Sequence, residues 1–278
     1  MKISIRGVRG SIPVSGSDYE QYGGNTTCVV VTESDWMLIL DGGSGLQQFN
    51  LLENTAIKRV DILLTHLHLD HIQGLGFFNP FFDTDIEVHI WGPKSNTGTL
   101  QSRLSRYFSP PLFPVSFRDL QCKLIMHEVE NSVFEIGPFK IDSRYVIHPG
   151  PTVGYRVSGK NSVFTFIPDH EPVLGSLEFQ TDKKWLSGYD LAFNSDLLLH
   201  DAQYTATDYI KKPGWGHSSM DDATRFAEIA GVKHLLLAHH DPKHTDNKLN
   251  ELFTELESRF NYSFKYELAA EGMNIELP

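Results

Sequence analysis

The chain has 278 residues, enough for one large domain with a sizeable core, and 40% hydrophobic with 21% charged residues excludes a disordered or fibrous protein. A formal net charge of −11 excludes a grip on nucleic acid through a broad basic face, but not a small phosphorylated ligand, since a bound cation supplies positive charge locally. Two cysteines, Cys28 and Cys122, exclude a disulfide framework and read as reduced, buried thiols.

The opening MKISIRGVRGSIP alternates apolar and polar residues and lacks the apolar block of a signal peptide. No run is long enough to span a bilayer, so a cytoplasmic protein without a membrane partner is expected. Lys2–Ile5 reads as a strand, followed by a Gly/Pro/Ser loop over Gly7–Gly24. Thr26–Thr32 and Trp36–Leu40 read as buried strands, the second ending at the tight turn Asp41-Gly42-Gly43-Ser44-Gly45. Val60–Thr65 is an apolar strand that runs straight into a histidine cluster. Ile86–Trp91 is a strand stopped by Gly92-Pro93, and Leu100–Tyr107 a helix ended by Pro110, Pro111 and Pro114. Lys123–Glu128 and Phe139–Ile141 read as strands, Gly154–Val157 and Ser162–Ile167 as a near-hairpin, and Leu197–His200 as a short core strand. Ser218-Ser219-Met220-Asp221-Asp222 carries a helix-start pattern, for a helix reaching about Ala230 and stopped by Gly231. Lys233–Ala238 is a strand, Leu249–Phe260 an amphipathic helix and Phe264–Leu268 a last strand. Strands dominate and no linker interrupts them, so a single α/β domain over residues 1–278 is expected, with two packed sheets and helices outside.

Thr65-His66-Leu67-His68-Leu69-Asp70-His71 puts three imidazoles and a carboxylate at the end of an apolar strand. In extended backbone His66 and His68 point the same way, and once the chain turns Asp70 and His71 can face the same centre from another side. The bland alternative is a solvated polar turn. His148, Asp169 and His239 also stand where apolar runs reach loops. Taken singly, each reads equally well as a turn residue; with the cluster they form a coherent set. Seven nitrogen and oxygen donors suit two divalent ions, Zn²⁺ first and Mn²⁺ as the alternative.

Several motifs occur together: RGSIP at 9–13, YGGNTTCV at 22–29, LILDGGSGL at 38–46, LLTHLHLDHIQG at 63–74, IPDHEP at 167–172, HDAQYT at 200–205, GWGHSS at 214–219 and LLLAHHDPKH at 235–244. In these the chain resembles the metallo-β-lactamase superfamily, in its phosphodiesterase and ribonuclease Z-like branch, over nearly its whole length. The resemblance implies an αββα sandwich of two mixed β-sheets flanked by helices, with metals at one edge. It implies His66, His68 and His148 on one ion, Asp70, His71 and His239 on the other, Asp169 bridging, and Asp41 orienting the ligands. Two departures are visible: Leu69 stands where many relatives have a bulky aromatic, and the bridging segment reads Pro-Asp-His-Glu where ribonuclease Z relatives have Gly-Asp-Thr. The motifs hold no cysteine, unlike many antibiotic-cleaving members, and His68 stands where the flavodiiron branch has glutamate.

Two such ions can share a hydroxide and hold both oxygens of an in-line displacement at phosphorus, with Asp70 orienting the nucleophile. The resemblance to ribonuclease Z, which keeps a histidine before a helix, makes His217 the candidate general acid, the alternative being a helix-start residue bonded to backbone. The expectation is a dinuclear metal-dependent phosphodiesterase acting on a small phosphodiester, a cyclic nucleotide first. One competitor is a tRNA 3′-end endonuclease, which usually carries a Gly- and Lys-rich arm; residues 80–115 are Pro- and Phe-rich with only Lys94, Arg103 and Arg106 as basic side chains. Others are a thioester or lactam hydrolase and a metal-bearing module that sequesters a nucleotide signal. No stable nucleic-acid complex is expected. A homodimer is expected from relatives, with the apolar segments Phe77–Phe82 and Tyr107–Phe117 as interface or, alternatively, as core. His170 and His240 read as supporting or surface residues, and His89, His127, His200, His234 and His244 as structural. Gly42–Gly45 is either a phosphate cradle or a tight turn behind the metals. Tyr22, Asn25 and the Ser11–Gly16 loop could edge the pocket.

Overall fold

The computed structural model describes residues 1–48, 58–174 and 179–278. β1 (Lys2–Gly7), β2 (Cys28–Glu33), β3 (Trp36–Leu40), β4 (Arg59–Leu63), β5 (Glu87–Pro93) and β6 (Lys123–Val129) form one sheet in that order, with β14 (Asn274–Glu276) beside β1. β7 (Ser132–Ile136), β8 (Phe139–Tyr145), β9 (Val153–Ser158), β10 (Val163–Ile167), β11 (Leu197–Asp201), β12 (His234–Ala238) and β13 (Lys265–Leu268) form the other in chain order. The two sheets share one design. From β14 to β3 the pairs are antiparallel and from β3 to β6 parallel. From β7 to β10 they are antiparallel and from β10 to β13 parallel.

Side-chain alternation explains the layering. On β2, Val29 and Val31 face the other sheet and meet Leu38, Leu40, Phe164 and Phe166. Val30 faces outward with Ile39, Ile62, Val88 and Ile90, under Phe78, Phe81, Leu104 and Phe108. On the far side Leu198, Leu235 and Leu237 are covered by Ala223, Phe226 and Ala227 of α5 (Met220–Ala230) and by Leu249 and Leu256 of α6 (Asp246–Arg259). The central strands of each sheet are covered on both faces, so they read as continuous apolar runs. The result is the αββα sandwich.

The helix-start pattern at Ser218–Asp222 is realised by Ser219, whose Oγ accepts the Asp222 amide at 3.0 Å, and Gly231 ends α5 at φ 68°. α6 starts three residues before Leu249, because Thr245 caps it through the Lys248 amide; its polar first turn hid it from an apolar-stripe reading. α2 (Leu100–Leu104) is shorter than the helix expected over Leu100–Tyr107. The chain turns there so that Leu104, Phe108 and Phe113 all reach the core. β7 was not expected: its alternating Ser132-Val133-Phe134-Glu135 is half exposed, and it pairs β8 across a turn at Gly137, φ 53°. β8 itself runs on past Ile141 to Tyr145.

The segments Phe77–Phe82 and Tyr107–Phe117 serve mainly as core, with Phe78, Phe81, Phe108 and Phe113 buried and Phe77 and Leu112 left exposed. Among the described residues no helix is long and apolar enough to cross a membrane.

Candidate metal centre

Strand direction gathers the site. β3, β4, β10, β11 and β12 all sit in the parallel halves of their sheets, and Asp41, His66, Asp169, Asp201 and His239 stand at or just beyond their carboxyl ends. β8 is separated from β10 by two antiparallel pairings, so it runs the same way and carries His148 towards the same edge. Carboxyl ends of parallel strands are where open α/β sheets leave a crevice for ligands. α1 (Leu69–Ile72) turns the chain after His68 and brings Asp70 and His71 back to it.

All seven residues expected to hold metal meet there. His68 Nδ1 lies 2.9 Å from His66 Nε2 and 3.2 Å from His148 Nε2. Asp70 Oδ2 lies 3.3 Å from both His71 Nε2 and His239 Nε2. Asp169 reaches both sets: Oδ1 is 3.0 Å from His71 Nε2, while Oδ2 is 3.3 Å from His239 Nε2 and 3.7 Å from the Nε2 atoms of His66 and His148. The donor atoms fall into two groups, His66/His68/His148 and Asp70/His71/Asp169/His239, each within 4.8 Å.

This donor set fits cations. The outward nitrogens are already committed: His66 Nδ1 to Thr65 Oγ1 at 3.0 Å, His71 Nδ1 to Asp41 Oδ2 at 2.8 Å and His148 Nδ1 to the Gly216 carbonyl at 2.7 Å. Each ring is thereby turned with Nε2 inward, as ligating histidines are. Inside, His71 Nε2 and Asp169 Oδ1 face each other at 3.0 Å but out of line for a good hydrogen bond, a costly arrangement for two buried atoms unless something else takes their lone pairs. Burial disfavours the charged forms of His66, His68 and His148, the last brought down to about 4, so these imidazoles are neutral and able to ligate. Burial also resists ionisation of Asp70 and Asp169, but His71 and His239 outweigh it and hold both far below the usual carboxylate range. Conversely, burial resists protonation of His71 and His239, but Asp169 and Asp70 overcome it and take His239 up to about 9. Without a metal ion the carboxylates pull protons onto their neighbours; positive charge belongs at this spot.

The backbone around the cluster is tightly specified. Asp41 and His239 adopt left-handed conformations, φ 58° and 59°, which are uncommon outside glycine and concentrate at functional sites. Asp41, fully buried, accepts the Thr65 amide at 2.7 Å and Thr65 Oγ1 at 2.8 Å besides His71. Burial raises its pKa, and His71 and Thr65 oppose that rise. A side chain at Gly10 would place its Cβ 2.5 Å from His239 Nδ1, so only glycine lets β1's loop pass behind that ring.

His217 lies beside the cluster, its ring stacked 5.0 Å from His239 and edge-on 4.9 Å from His148. Its Nδ1 is held by Asp201 Oδ2 at 2.6 Å, leaving Nε2 as the free nitrogen. Asp201, fully buried, also accepts the amides of His170 and Gln203 at 3.0 Å. The sequence reading passed over Asp201, although it closes the apolar run Leu197–Leu199 just as Asp169 closes its own strand.

Of the remaining expectations, some are met and some are narrowed. His170 and His240 are fully buried and not at the surface: His170 Nδ1 meets His200 Nε2 at 2.8 Å, and His240 Nε2 donates to the Ala269 carbonyl at 2.9 Å. The amides of Gly42, Gly43, Ser44 and Gly45 bond His71, Thr27 and Thr26, so the turn has no donors left for a phosphate. Tyr22 Oη is engaged by Asn250 at 2.6 Å and Asn25 by Glu271, away from the cluster. Of the Ser11–Gly16 loop, Ser11 reaches the site, its amide donating to Asp70 Oδ2 at 2.7 Å. Cys28 and Cys122 are free and buried. A cavity of about 360 Å³ opens beside His66 and His68, walled by Leu69, Ile72, Tyr107, Leu112 and Pro151.

Comparison with known proteins places this geometry. The Beta-lactamase superfamily domain matches residues 36–240. A ribonuclease Z from Thermoplasma volcanium is 23% identical over 273 residues, covering 82% of this chain and 85% of that protein. The crystal structure of YhfI, a metallo-beta-lactamase fold protein from Bacillus subtilis, superposes with a TM-score of 0.71 at 20% identity over 99% of both chains. A diphosphatase of the PhnP family superposes with a TM-score of 0.69 at 19% identity, over 100% of this chain and 98% of that one. At those identities the two structures speak for the fold alone. The chain belongs to the beta-lactamase superfamily, as a metal-binding hydrolase of the metallo-β-lactamase fold.

Proposed function

We propose that this chain is a metal-dependent phosphodiesterase acting on a small phosphodiester, a cyclic nucleotide first among them. The observation that carries the reading is the cluster of seven inward-facing donors with His217 beside it, a donor atom of which lies within 4.8 Å of those of His148 and Asp169. His66, His68 and His148 would hold one divalent ion and Asp70, His71 and His239 a second, with Asp169 between them and Zn²⁺ favoured over Mn²⁺. When bound, such ions supply Lewis acidity, activating water and drawing charge from the phosphoryl oxygens. The chain's own groups do the rest. Asp70, fixed by the Ser11 amide, accepts a hydrogen bond from the attacking water and aims it. His217 delivers a proton from Nε2 to the departing oxygen while Asp201 steadies the ring and the imidazolium.

The small substrate is supported by the cavity and by the segment that walls it. Residues 94–118 form no projecting arm: Leu100, Leu104, Phe108 and Phe113 are buried, and Tyr107 Oη donates to the Gln73 carbonyl at 2.7 Å. About 360 Å³ is near the lower end of small-molecule pockets, roughly 300–1,000 Å³. A second reading, a tRNA 3′-end endonuclease, is favoured by the relatives named ribonuclease Z.

The deciding experiment incubates metal-loaded protein with cyclic mono- and dinucleotides and with unprocessed tRNA, beside an Asp70→Ala/His71→Ala control. Turnover of a cyclic nucleotide, lost in the control, is the expected result. Cleavage of tRNA alone overturns it in favour of the endonuclease. Tight retention of one nucleotide without turnover leaves a sequestering module.

A further inference from the structure

We infer that the cavity beside the metal centre is a two-part subsite: an apolar slot for a flat aromatic group, and a seat at Arg106 for a second phosphate on the same molecule. The inference rests on the phosphodiester reading only for the identity of the first phosphate.

The apolar slot follows from its walls. Leu69 and Leu112 stand 60% and 72% exposed at the cavity, next to Ile72 and Tyr107. Two leucines left in water beside a polar centre gain by covering, and a flat ring such as a nucleobase covers both.

The anion seat follows from a contrast between two arginines that line the same cavity. Arg103 is spent on structure: its guanidinium donates to the Gly98 carbonyl at 3.2 Å and to the Pro93 carbonyl, and Glu128 lies 3.8 Å away. Arg106 is exposed, and its side chain makes no hydrogen bond or ion pair among the described residues. In a chain with 35 acidic and 24 basic residues, a guanidinium left unpaired on the wall of a largely apolar cavity is conspicuous. Its planar fork matches two oxygens of a phosphate. The phosphate being cleaved has to sit among the donors of the metal centre, so Arg106 meets a different one. The substrate class is therefore a nucleotide phosphodiester carrying a second phosphate, such as a cyclic dinucleotide, in preference to a cyclic mononucleotide.

The test titrates metal-loaded protein calorimetrically with thymidine 3′,5′-bisphosphate and with thymidine 5′-phosphate. Wild type should bind the bisphosphate at least about ten-fold tighter. Arg106→Gln should erase that difference while changing the affinity for thymidine 5′-phosphate less than about two-fold. Leu112→Ser, at an exposed position that leaves the core intact, should weaken both nucleotides alike. Equal affinities in wild type, or a preference that survives in Arg106→Gln, overturn the proposal. Hydrolysis of the p-nitrophenyl esters of the same two nucleotides is followed in parallel. An Arg106-dependent preference without hydrolysis upholds the subsite and removes the phosphodiesterase reading; hydrolysis without the preference does the reverse.

Discussion

Asp201 Oδ2 lies 2.6 Å from His217 Nδ1, and the same buried carboxylate accepts two backbone amides at 3.0 Å. The histidine is thus oriented by a group that is itself fixed by the main chain, which leaves Nε2 to serve a departing oxygen. His217→Ala should lower kcat by about 10²–10⁴ on a nucleoside leaving group, which needs a proton. On a p-nitrophenyl ester, whose leaving group departs unprotonated, the loss should be far smaller. Steady-state rates on the two substrates check this, and equal losses contradict the acid role.

Asp41→Asn should cost roughly 10–100-fold in metal affinity, because the carboxylate that holds His71 Nδ1 at 2.8 Å is lost while shape is kept. Asparagine tolerates the left-handed conformation seen at φ 58°, so backbone strain is not the cause of the effect. Competition with a chromophoric chelator measures it. An unchanged affinity would show that Asp41 serves the turn at Thr65 and not the metal.

His240 gives a prediction about acid stability. Burial carries its pKa down to about 3 from the ordinary value of 6.5. In the fold it is neutral; the unfolded chain takes up a proton below 6.5. Its contribution is therefore whole above pH 6.5 and is lost as the pH falls towards 3, at about 1.4 kcal/mol per pH unit. The stability of wild type relative to His240→Gln, both with chelator present, should fall by that slope between about pH 6 and pH 4 in urea titrations. A difference independent of pH contradicts the buried neutral histidine.

The parts of the fold legible in the sequence are those where burial is complete. The apolar runs Leu38–Leu40, Ile62–Leu64 and Leu235–Ala238 are covered on both faces, so nothing else competed with the strand reading. β7 escaped because its exposed Val133 and Glu135 give it half an apolar face, and the polar first turn of α6 escaped because only its Thr245 cap announces it. Four of the seven donors were legible as one cluster after an apolar strand and the other three as residues where apolar runs reach loops, and the family resemblance sorted them. Their meeting depends on strand direction across two sheets, which no local pattern encodes. Asp201 and the pairing of His170 with His200 were missed for that reason: each depends on a neighbour some thirty residues or less away in sequence but on another element. Arg106 carries no motif at all; only the cavity it lines singles it out.

The central claim, two divalent ions held by these side chains for phosphodiester hydrolysis, is tested most directly by counting metal. Elemental analysis of wild type, His68→Ala and Asp70→Ala, each after equilibration with Zn²⁺ and gel filtration, should be run beside hydrolysis of bis(p-nitrophenyl) phosphate. The account predicts about two ions per chain in wild type, about one in each variant, and hydrolysis lost in both. A single ion in wild type, or hydrolysis that persists when an ion is lost, would contradict it.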